Sequence, residues 1–348
     1  MTVVSLKDGL TPEHLERHNI ALDRENRLDG IRAWYFNYNV NRYLSCAMFL
    51  WLLNNIKRYD MVNLTSIFFP WTWVAAFLCI LYRVPFSIAP RGELEPGAYR
   101  YGKGRKDLVN RLFLKRLIAR ARFVLVTSDQ EAKFTRPFLP EGMPFEIVPN
   151  YMELDGEAPT LEMIQQKQDI LYLGRIHPKK GIENLIRAFE LVDGKILGSR
   201  RLLIIGTGEK GYVESLKKLA EQTKRPGAIR FLGHRVGKEK EDIYRKAKVM
   251  VLPSHSENFG NVVVEALARA TPVIASCFTP WAELEKARCG LWVKNDPRSL
   301  AQALESILFL DGLAYAAMAE AARCFVEETY DVRKNGGRLE TLYRSYLS

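Results

Sequence analysis

Two carboxylates, Glu257 and Glu265, bracket the run Asn258-Phe-Gly-Asn-Val-Val-Val264, one before a glycine turn and one inside a helical pattern. Just upstream, Val249-Met-Val-Leu-Pro253 is an apolar run closed by proline, which reads as a buried parallel strand. A strand, a glycine turn and a helix start leave the first helical N–H groups unpaired and pointing outward, a ready site for an anion. Carboxylates beside such a site make little sense for phosphate alone. They make sense for a ligand that also carries vicinal hydroxyls, for which an ionised carboxylate is a strong acceptor. A phosphate flanked by hydroxyl-rich groups is a sugar nucleotide. With a helix starting near Gly260, Asn261 and Glu265 lie one turn apart on one face. Val262, Val263, Ala266 and Leu267 bury the others. The competing reading is an ordinary amphipathic helix with Glu265 in solvent.

A second group lies in Leu171-Tyr-Leu-Gly-Arg-Ile-His-Pro-Lys-Lys-Gly181. A strand ends at Gly174, Arg175 follows, and Lys180 precedes the next helical run. Arg175 as a planar fork and Lys180 as a point charge suit a diphosphate, and two cations can stabilise a leaving diphosphate in place of a metal. No Asp-x-Asp sequence occurs, and no histidine has a partner at metal-ligand spacing. No metal and no cofactor are therefore expected. His177 and His255 read as solvated loop residues. Gly206-Thr-Gly-Glu-Lys-Gly211 matches the dinucleotide fingerprint in bare form, which raises an NAD oxidoreductase as a rival. That fingerprint needs an acid after the next strand. Ile229–Phe231 runs instead into Leu232-Gly-His-Arg235, so Gly206 is expected to line a nucleotide cleft as a tight turn.

Apolar runs alternate with helical patterns along the chain, the mark of a parallel α/β architecture. Strands are expected at Thr2–Leu6, Ile31–Tyr35, Met61–Leu64, Phe86–Ala89, Phe123–Thr127 and Glu146–Val148. Helices are expected at Leu44–Asn55, Trp71–Arg83 and Asp107–Arg120. In the second half, strands are expected at Ile170–Leu173, Arg201–Ile205, Ile229–Phe231, Val249–Leu252, Val273–Ala275 and Gly290–Val293. Helices follow near Ile182–Leu191, Gly211–Gln222, Glu239–Ala247, Gly260–Ala270, Trp281–Lys286 and Ser299–Leu308. The fold class is α/β, with two doubly wound domains facing a cleft, where open sheets bind ligands. Residues 1–150 form the first domain and 163–331 the second. Residues 151–162, which include Glu153, Asp155, Gly156, Glu157 and Pro159, form a linker. A final helix, 332–348, crosses back to the first domain.

The 348 residues suffice for two cores. The net charge of +11 is uneven: Arg100 to Arg122 holds nine Lys or Arg against one acid, Asp107. Nothing beside that run resembles a nucleic-acid recognition helix or aromatic platform. An anionic membrane surface or a lipid-borne acceptor fits better, with a solvated helix face as the plain alternative. Trp71, Trp73, Tyr99 and Tyr101 lie nearby in sequence. The cysteines at 46, 79, 277, 289 and 324 are scattered without metal spacing, as expected in a reducing cytoplasm. The start MTVVSLKDGL lacks the pattern of a cleavable signal. The uncharged stretch Met61–Tyr82 is interrupted by Asn63, Thr65, Ser66 and Pro70, so it reads as a strand, a loop and a buried helix, not a membrane span.

In combination these residues resemble the retaining glycosyltransferases of family 4, which have the GT-B fold. The resemblance runs through Gly174-Arg175, Lys180-Gly181, Gly206-Thr-Gly208, Phe231-Leu-Gly233, Leu252-Pro-Ser254 and the paired glutamates. Pro90-Arg-Gly-Glu-Leu-Glu-Pro96 and Val148-Pro-Asn150 resemble members that build bacterial exopolysaccharide or envelope polysaccharide. The resemblance implies hexose transfer from a UDP-sugar of the UDP-glucose kind to a saccharide or lipid-linked saccharide, without metal and without an enzymic nucleophile. It assigns Arg175 and Lys180 to the donor diphosphate and Glu257 to hydroxyls of the transferred sugar. Backbone N–H groups of Asn258, Phe259 and Gly260 bind that sugar and its phosphate, and Glu265 takes the ribose. The base lies near Arg230 and Phe231. Gly174, Gly206 and Asn261 line the donor site, while Arg91, Gly92 and Glu93 stand on the sugar and acceptor side. Arg91 replaces a histidine common in the family. The family's usual opening is a strand, a glycine-rich loop and a helix, whereas this chain begins at what reads as the second strand. A catalytically inactive GT-B protein that binds nucleotide or a partner is the alternative. The protein is expected in the cytoplasm, with peripheral contact at the inner face of the cell membrane as an option.

Overall fold

The structure is a computed structural model that describes all residues except 8–9, 11, 39–44, 101–102, 111–113, 155–157 and 348, together with the side chains of 13, 14 and 105. Leu44, Tyr101, Arg111 and the linker residues Asp155, Gly156 and Glu157 lie outside the described residues. The first half holds β1 (Thr2–Leu6), β2 (Glu25–Leu28) and β3 (Ile31–Phe36), then β4 (Val62–Thr65), β5 (Phe86–Ala89), β6 (Val124–Val126) and β7 (Phe145–Ile147). The second half holds β8 (Asp169–Leu173), β9 (Leu202–Ile205), β10 (Ile229–Gly233), β11 (Ala247–Leu252), β12 (Val273–Ser276) and β13 (Gly290–Val293).

These strands make three sheets. The second half is one parallel sheet in the order β10-β9-β8-β11-β12-β13. From β8 the chain winds outward through β9 and β10, then returns to β11 and winds the other way, the doubly wound order. Successive residues of β8 feed opposite faces. Ile170 and Tyr172 join the core under the helices Ile182–Leu191 and Pro297–Leu308, while Leu171 joins the core under Asn261–Leu267 and Gly312–Thr329. Strands buried on both faces explain the continuous apolar runs in the sequence.

The first half is not one sheet. β4 to β7 are parallel in sequential order, and β1-β3-β2 form a separate three-stranded sheet. Here β2 pairs antiparallel with β3 through Asp29-Gly30, whose φ values of 47° and 78° suit a two-residue hairpin. The polar strand Glu-Asn-Arg-Leu has no alternation to reveal it. Around the expected helix Asp107–Arg120, helix is described at Lys103–Val109 and Lys115–Ile118, with 111–113 outside the described residues. Pro70 occupies the first turn of the helix Pro70–Tyr82, where its missing N–H costs nothing.

The chain passes between the two halves twice, and the passages run side by side: Met152 N–H donates to Tyr330 O at 2.9 Å and Val332 N–H to Met152 O at 2.9 Å. The terminal segment bends at Gly336-Gly337 into Val332–Asn335 and Gly337–Ser345. Tyr343 and Tyr346 pack on the buried Phe123, the latter with ring centroids 4.4 Å apart.

Two glycines fix how closely the strand ends meet. A Cβ on Gly181, at φ +61°, would stand 2.2 Å from Pro253 O, and one on Gly206, at φ +143°, would stand 1.8 Å from Gly174 O. The turns after β8, β9 and β11 therefore touch through backbone. Gly181→Ala should cost about 2 kcal/mol or more from the left-handed backbone and the collision together. Thermal unfolding checks this, and an unchanged Tm would mean that the two turns are not so packed.

Below the sheet, Lys167 is buried and donates to Tyr244 O at 3.2 Å, Arg245 O at 2.8 Å and Thr271 Oγ1 at 2.8 Å. Burial pushes its pKa down to about 7, and the charges of Arg245 and Lys248 act in the same direction. In the unfolded chain a lysine holds its proton to about pH 10.4. Between those values the unfolded state binds more protons, so this group makes stability rise with pH. Lys167→Met should flatten the rise between about pH 7 and 9, by up to about 1.4 kcal/mol per pH unit. Urea unfolding across that range measures it; parallel profiles for the two proteins would contradict the assignment.

Candidate functional site

β8 and β11 are the neighbours between which the strand order reverses, and the loops leaving them carry the residues of interest. After β8 come Gly174 and the exposed Arg175, then His177, which caps the short 3-10 turn Pro178–Lys180 by accepting from Lys179 N–H at 3.1 Å. After β11 come Ser254 and Glu257, then Gly260 at φ 84°, the residue before the helix Asn261–Leu267. Lys180 Nζ donates to Glu257 Oε2, both side chains being only about 15% exposed (14% and 15%). Ser254 Oγ donates to the same oxygen at 3.2 Å. Lys180 and Glu257 therefore meet as a partner pair. An anion and a polyol would bind across this pair, the cation taking the one and the carboxylate the other.

The loop is held from behind by aromatics. The Phe259 ring is buried, 5.3 Å from Trp281 and 5.7 Å from Tyr330 by ring centroid, and Trp281 Nε1 donates to Phe259 O. Phe259 thus offers the cleft only its backbone. Glu265 lies on the helix face toward the helix Gly237–Lys246. It accepts from Tyr244 Oη at 2.7 Å and pairs with Lys240 at 2.7 Å. Arg230 is exposed on the edge strand β10, while Phe231 is partly packed on the core. Gly206 belongs to a backbone contact: Gly206 N–H donates to Gly233 O at 2.9 Å, and Ile176 bridges Gly208. The fingerprint-like glycines are thereby accounted for by close packing of the turns.

The opposite wall is the loop Pro90–Pro96 after β5. Arg91 at φ 52° and Gly92 at φ 78° make its turn, and a Cβ on Gly92 would come within 2.8 Å of Asn258 Cβ. Arg91 donates to Asn150 Oδ1 at 3.0 Å, and Asn150 Nδ2 donates to Asn261 Oδ1 at 3.0 Å. Three sequence motifs far apart in the chain are thus joined by two hydrogen bonds across the cleft. Glu93 faces its own half of the protein, accepting from Ser66 Oγ at 2.6 Å and Phe68 N–H at 3.2 Å.

Four residues here carry no role in the sequence reading. Glu95 is buried and accepts from Ser256 Oγ of the β11 loop; burial pushes its carboxyl pKa up, against the Ser256 bond and the charge of Lys179. Lys179, next to Lys180, lies half-buried near it, and burial lowers its pKa against the charges of Glu95 and Glu257. Glu131 is buried and accepts from Gly92 N–H at 2.6 Å and from Thr127 N–H at 2.7 Å. Its signal was present in the sequence as the capping box Ser128-Asp-Gln-Glu131, with Ser128 Oγ accepting from Glu131 N–H at 3.1 Å. Glu95, Lys179 and Ser256 had no such spacing to announce them. His255 is exposed, its Nδ1 3.3 Å from Asn295 Nδ2. Among the described residues no group of three His, Cys, Asp or Glu is placed to hold a metal ion. Two surface depressions, of about 480 Å³ beside Arg136 and Phe145 and about 370 Å³ beside Leu191 and Arg225, are lined by none of these site residues.

Residues 159–324 match the family described as glycosyl transferases group 1. An uncharacterized glycosyltransferase of Methanocaldococcus jannaschii, MJ1607, is 37% identical over 145 residues, which are 40% of this chain and 35% of that protein. A D-inositol 3-phosphate glycosyltransferase of Corynebacterium jeikeium is 28% identical over 234 residues, 62% of this chain and 56% of that one. The chain thus spans between about a third and just over half of the length of these relatives. Among solved structures, Anabaena Alr3699/HepE in complex with UDP-glucose superposes with a TM-score of 0.76 at 18% identity, covering 99% of this chain and 100% of that one. The two parallel units facing one another have the GT-B architecture of these structures. Residues 159–324 are thus similar to the glycosyl transferases group 1 family, within a chain of GT-B fold.

Proposed function

We propose that this chain is a retaining glycosyltransferase that moves a hexose from a UDP-sugar, of the UDP-glucose kind, to a saccharide or lipid-linked saccharide in polysaccharide assembly. The observation that supports it best is the Lys180–Glu257 pair at the point where the sheet order reverses, faced across the cleft by Arg91 and Asn150. Structures of Alr3699/HepE with UDP and with UDP-glucose have this fold, which agrees with a nucleotide-sugar donor in the same cleft.

In this reading the donor diphosphate takes Lys180 and Arg175 as its counter-charges, and Glu257, released from Lys180, accepts hydroxyls of the transferred sugar. Charge builds on the diphosphate as the glycosidic bond breaks, and two fixed cations stabilise it with no metal. Glu265 accepts the ribose hydroxyls while Tyr244 and Lys240 hold its carboxylate in place. Asn258, Phe259 and Gly260 contribute backbone N–H groups, and Arg230 borders the base. Arg91 is permanently charged, so it positions oxygens and does not act as a base. The departing phosphate oxygen takes the acceptor proton on the same face of the sugar, which requires no nucleophile on the protein. The basic run 100–122 supports an acceptor carried at an anionic membrane surface.

Arg175→Ala and Lys180→Ala should each weaken UDP binding by about 1–3 kcal/mol, the worth of a charge-assisted hydrogen bond. Calorimetry giving unchanged affinity in both would overturn the diphosphate assignment. Glu257→Ala should bind UDP yet release none from a UDP-sugar above background. Equal release from the variant and the parent would sink the transferase assignment; UDP binding without turnover in the parent would assign the alternative, a nucleotide-binding GT-B protein without catalysis.

A further inference from the structure

The helices Cys46–Asn55 and Pro70–Tyr82 pack against one another on the first half of the molecule, and neither contains a charged residue. Their inner faces are core: Met48 and Leu52 on one, Ala75, Leu78 and Cys79 on the other. Their outer faces are apolar as well. Phe77 is 62% exposed and Leu81 58%, one helical turn apart, with Ile80 between them on the same side. On the neighbouring helix Leu50 is 56% and Phe49 41% exposed. A helix apolar all round is ordinarily buried on all sides, and grouped exposed apolar side chains mark an interaction surface.

The border of this face decides its partner. Lys57 and Arg58, both exposed, follow the first helix in a 3-10 turn that packs on the second. Exposed Arg83 directly follows the second helix, and the short helix Lys115–Ile118, which also touches it, carries exposed Lys115 and Arg116. From residue 61 to residue 92 the chain has no acid. A second copy of this chain seated here would bring a like-charged border against this one, which is unfavourable. An anionic bilayer offers the complement of both features, acyl chains for the aromatic and aliphatic side chains and phosphate headgroups for the cations. We propose that the outer faces of the helices Cys46–Asn55 and Pro70–Tyr82, bordered by these cations, are the surface by which the protein lies on an anionic lipid bilayer. Among the described residues no single helix is long and apolar enough to cross a membrane, so the contact lies in the interface plane. Lys106 does not belong to the surface: it donates to Ala98 O at 2.8 Å and sits over the Phe68 and Tyr99 rings.

The inference deepens the lipid-linked acceptor reading and rests on it only for its biological use. Sedimentation with phosphatidylcholine vesicles, with and without about a third phosphatidylglycerol, tests it at low and high salt. The parent should sediment with the anionic vesicles only, and less so as salt screens the charges. Phe77→Ser/Leu81→Ser, both exposed and so harmless to the core, should lower partitioning about tenfold. Lys115→Glu/Arg116→Glu should lower it at low salt and matter little at high salt. A parent that stays in the supernatant at low salt, or an apolar variant that binds like the parent, would overturn the proposal. So would a dimer in ultracentrifugation that the same apolar substitution dissolves, since the face would then belong to a second copy. UDP calorimetry on the same proteins separates the two readings. A parent that binds UDP but no vesicles overturns the face alone, and a parent that binds anionic vesicles but no UDP overturns the transfer reading alone.

Discussion

The contact on which the rest of the site depends is the ion pair of Lys180 with Glu257, because it ties together the two loops that leave the sheet at its reversal point. A parallel sheet wound in two directions from β8 leaves a crevice there that no crossover helix fills. Both loops must enter it, and both end in residues with positive φ, Gly181 and Gly260. The pair is mostly shielded from water, so its two charges depend on each other more than a surface pair would. A ligand that brings its own negative charge and its own hydroxyls can replace each partner for the other. That exchange leaves neither charge uncompensated, and it makes the ligand a bridge between the loops.

The first half of the molecule meets this pair through a loop that carboxylates hold in place, two from the loop itself and one from the helix Asp129–Thr135. Glu93 fixes the turn after β4, Glu131 fixes Gly92, and Glu95 reaches Ser256 in the other half. Each is an acid placed where backbone N–H groups or hydroxyls converge, so each stiffens the Pro90–Pro96 loop. Stiffness matters because Gly92 packs against Asn258 with no room for a side chain. The Arg91–Asn150–Asn261 chain then joins this loop to the first passage between the halves and to the start of the helix that carries Glu265. The helix that carries Glu265 and the opposing wall of the cleft are therefore mechanically coupled through two hydrogen bonds.

What was legible in the sequence follows the physics of each element. β8, β9 and β11 are buried on both faces and announce themselves as unbroken apolar runs. The hairpin strand β2 is polar and short, and only its Asp29-Gly30 turn could have pointed to it. The helix Gly312–Thr329 went unread because its alanine-rich run has no clear apolar stripe, although Asp311 caps it through Leu313 and Ala314 N–H groups. The strand ends that carry Glu257, Lys180 and Arg175 were readable because strand, turn and residue type coincide within a few positions. The cross-cleft partners were not, since Asn150 and Asn261 are 111 positions apart and Glu95 and Ser256 are 161 apart.

The glycines show how one pattern serves two physical ends. Gly206-Thr-Gly208 satisfies the opening of a dinucleotide fingerprint, and the missing acid after β10 argued against that use. The structure supplies the positive reason. Gly206 and Gly208 allow the turn after β9 to lie against the carbonyls of Gly174 and Ile176, where any Cβ would fall within 2 Å of an oxygen. Close approach of one backbone to another sets the depth of the crevice, and that depth brings Arg175 out to its rim while Lys180 stays within. In this fold the glycines shape the wall, and the neighbouring loops carry the side chains proposed to bind.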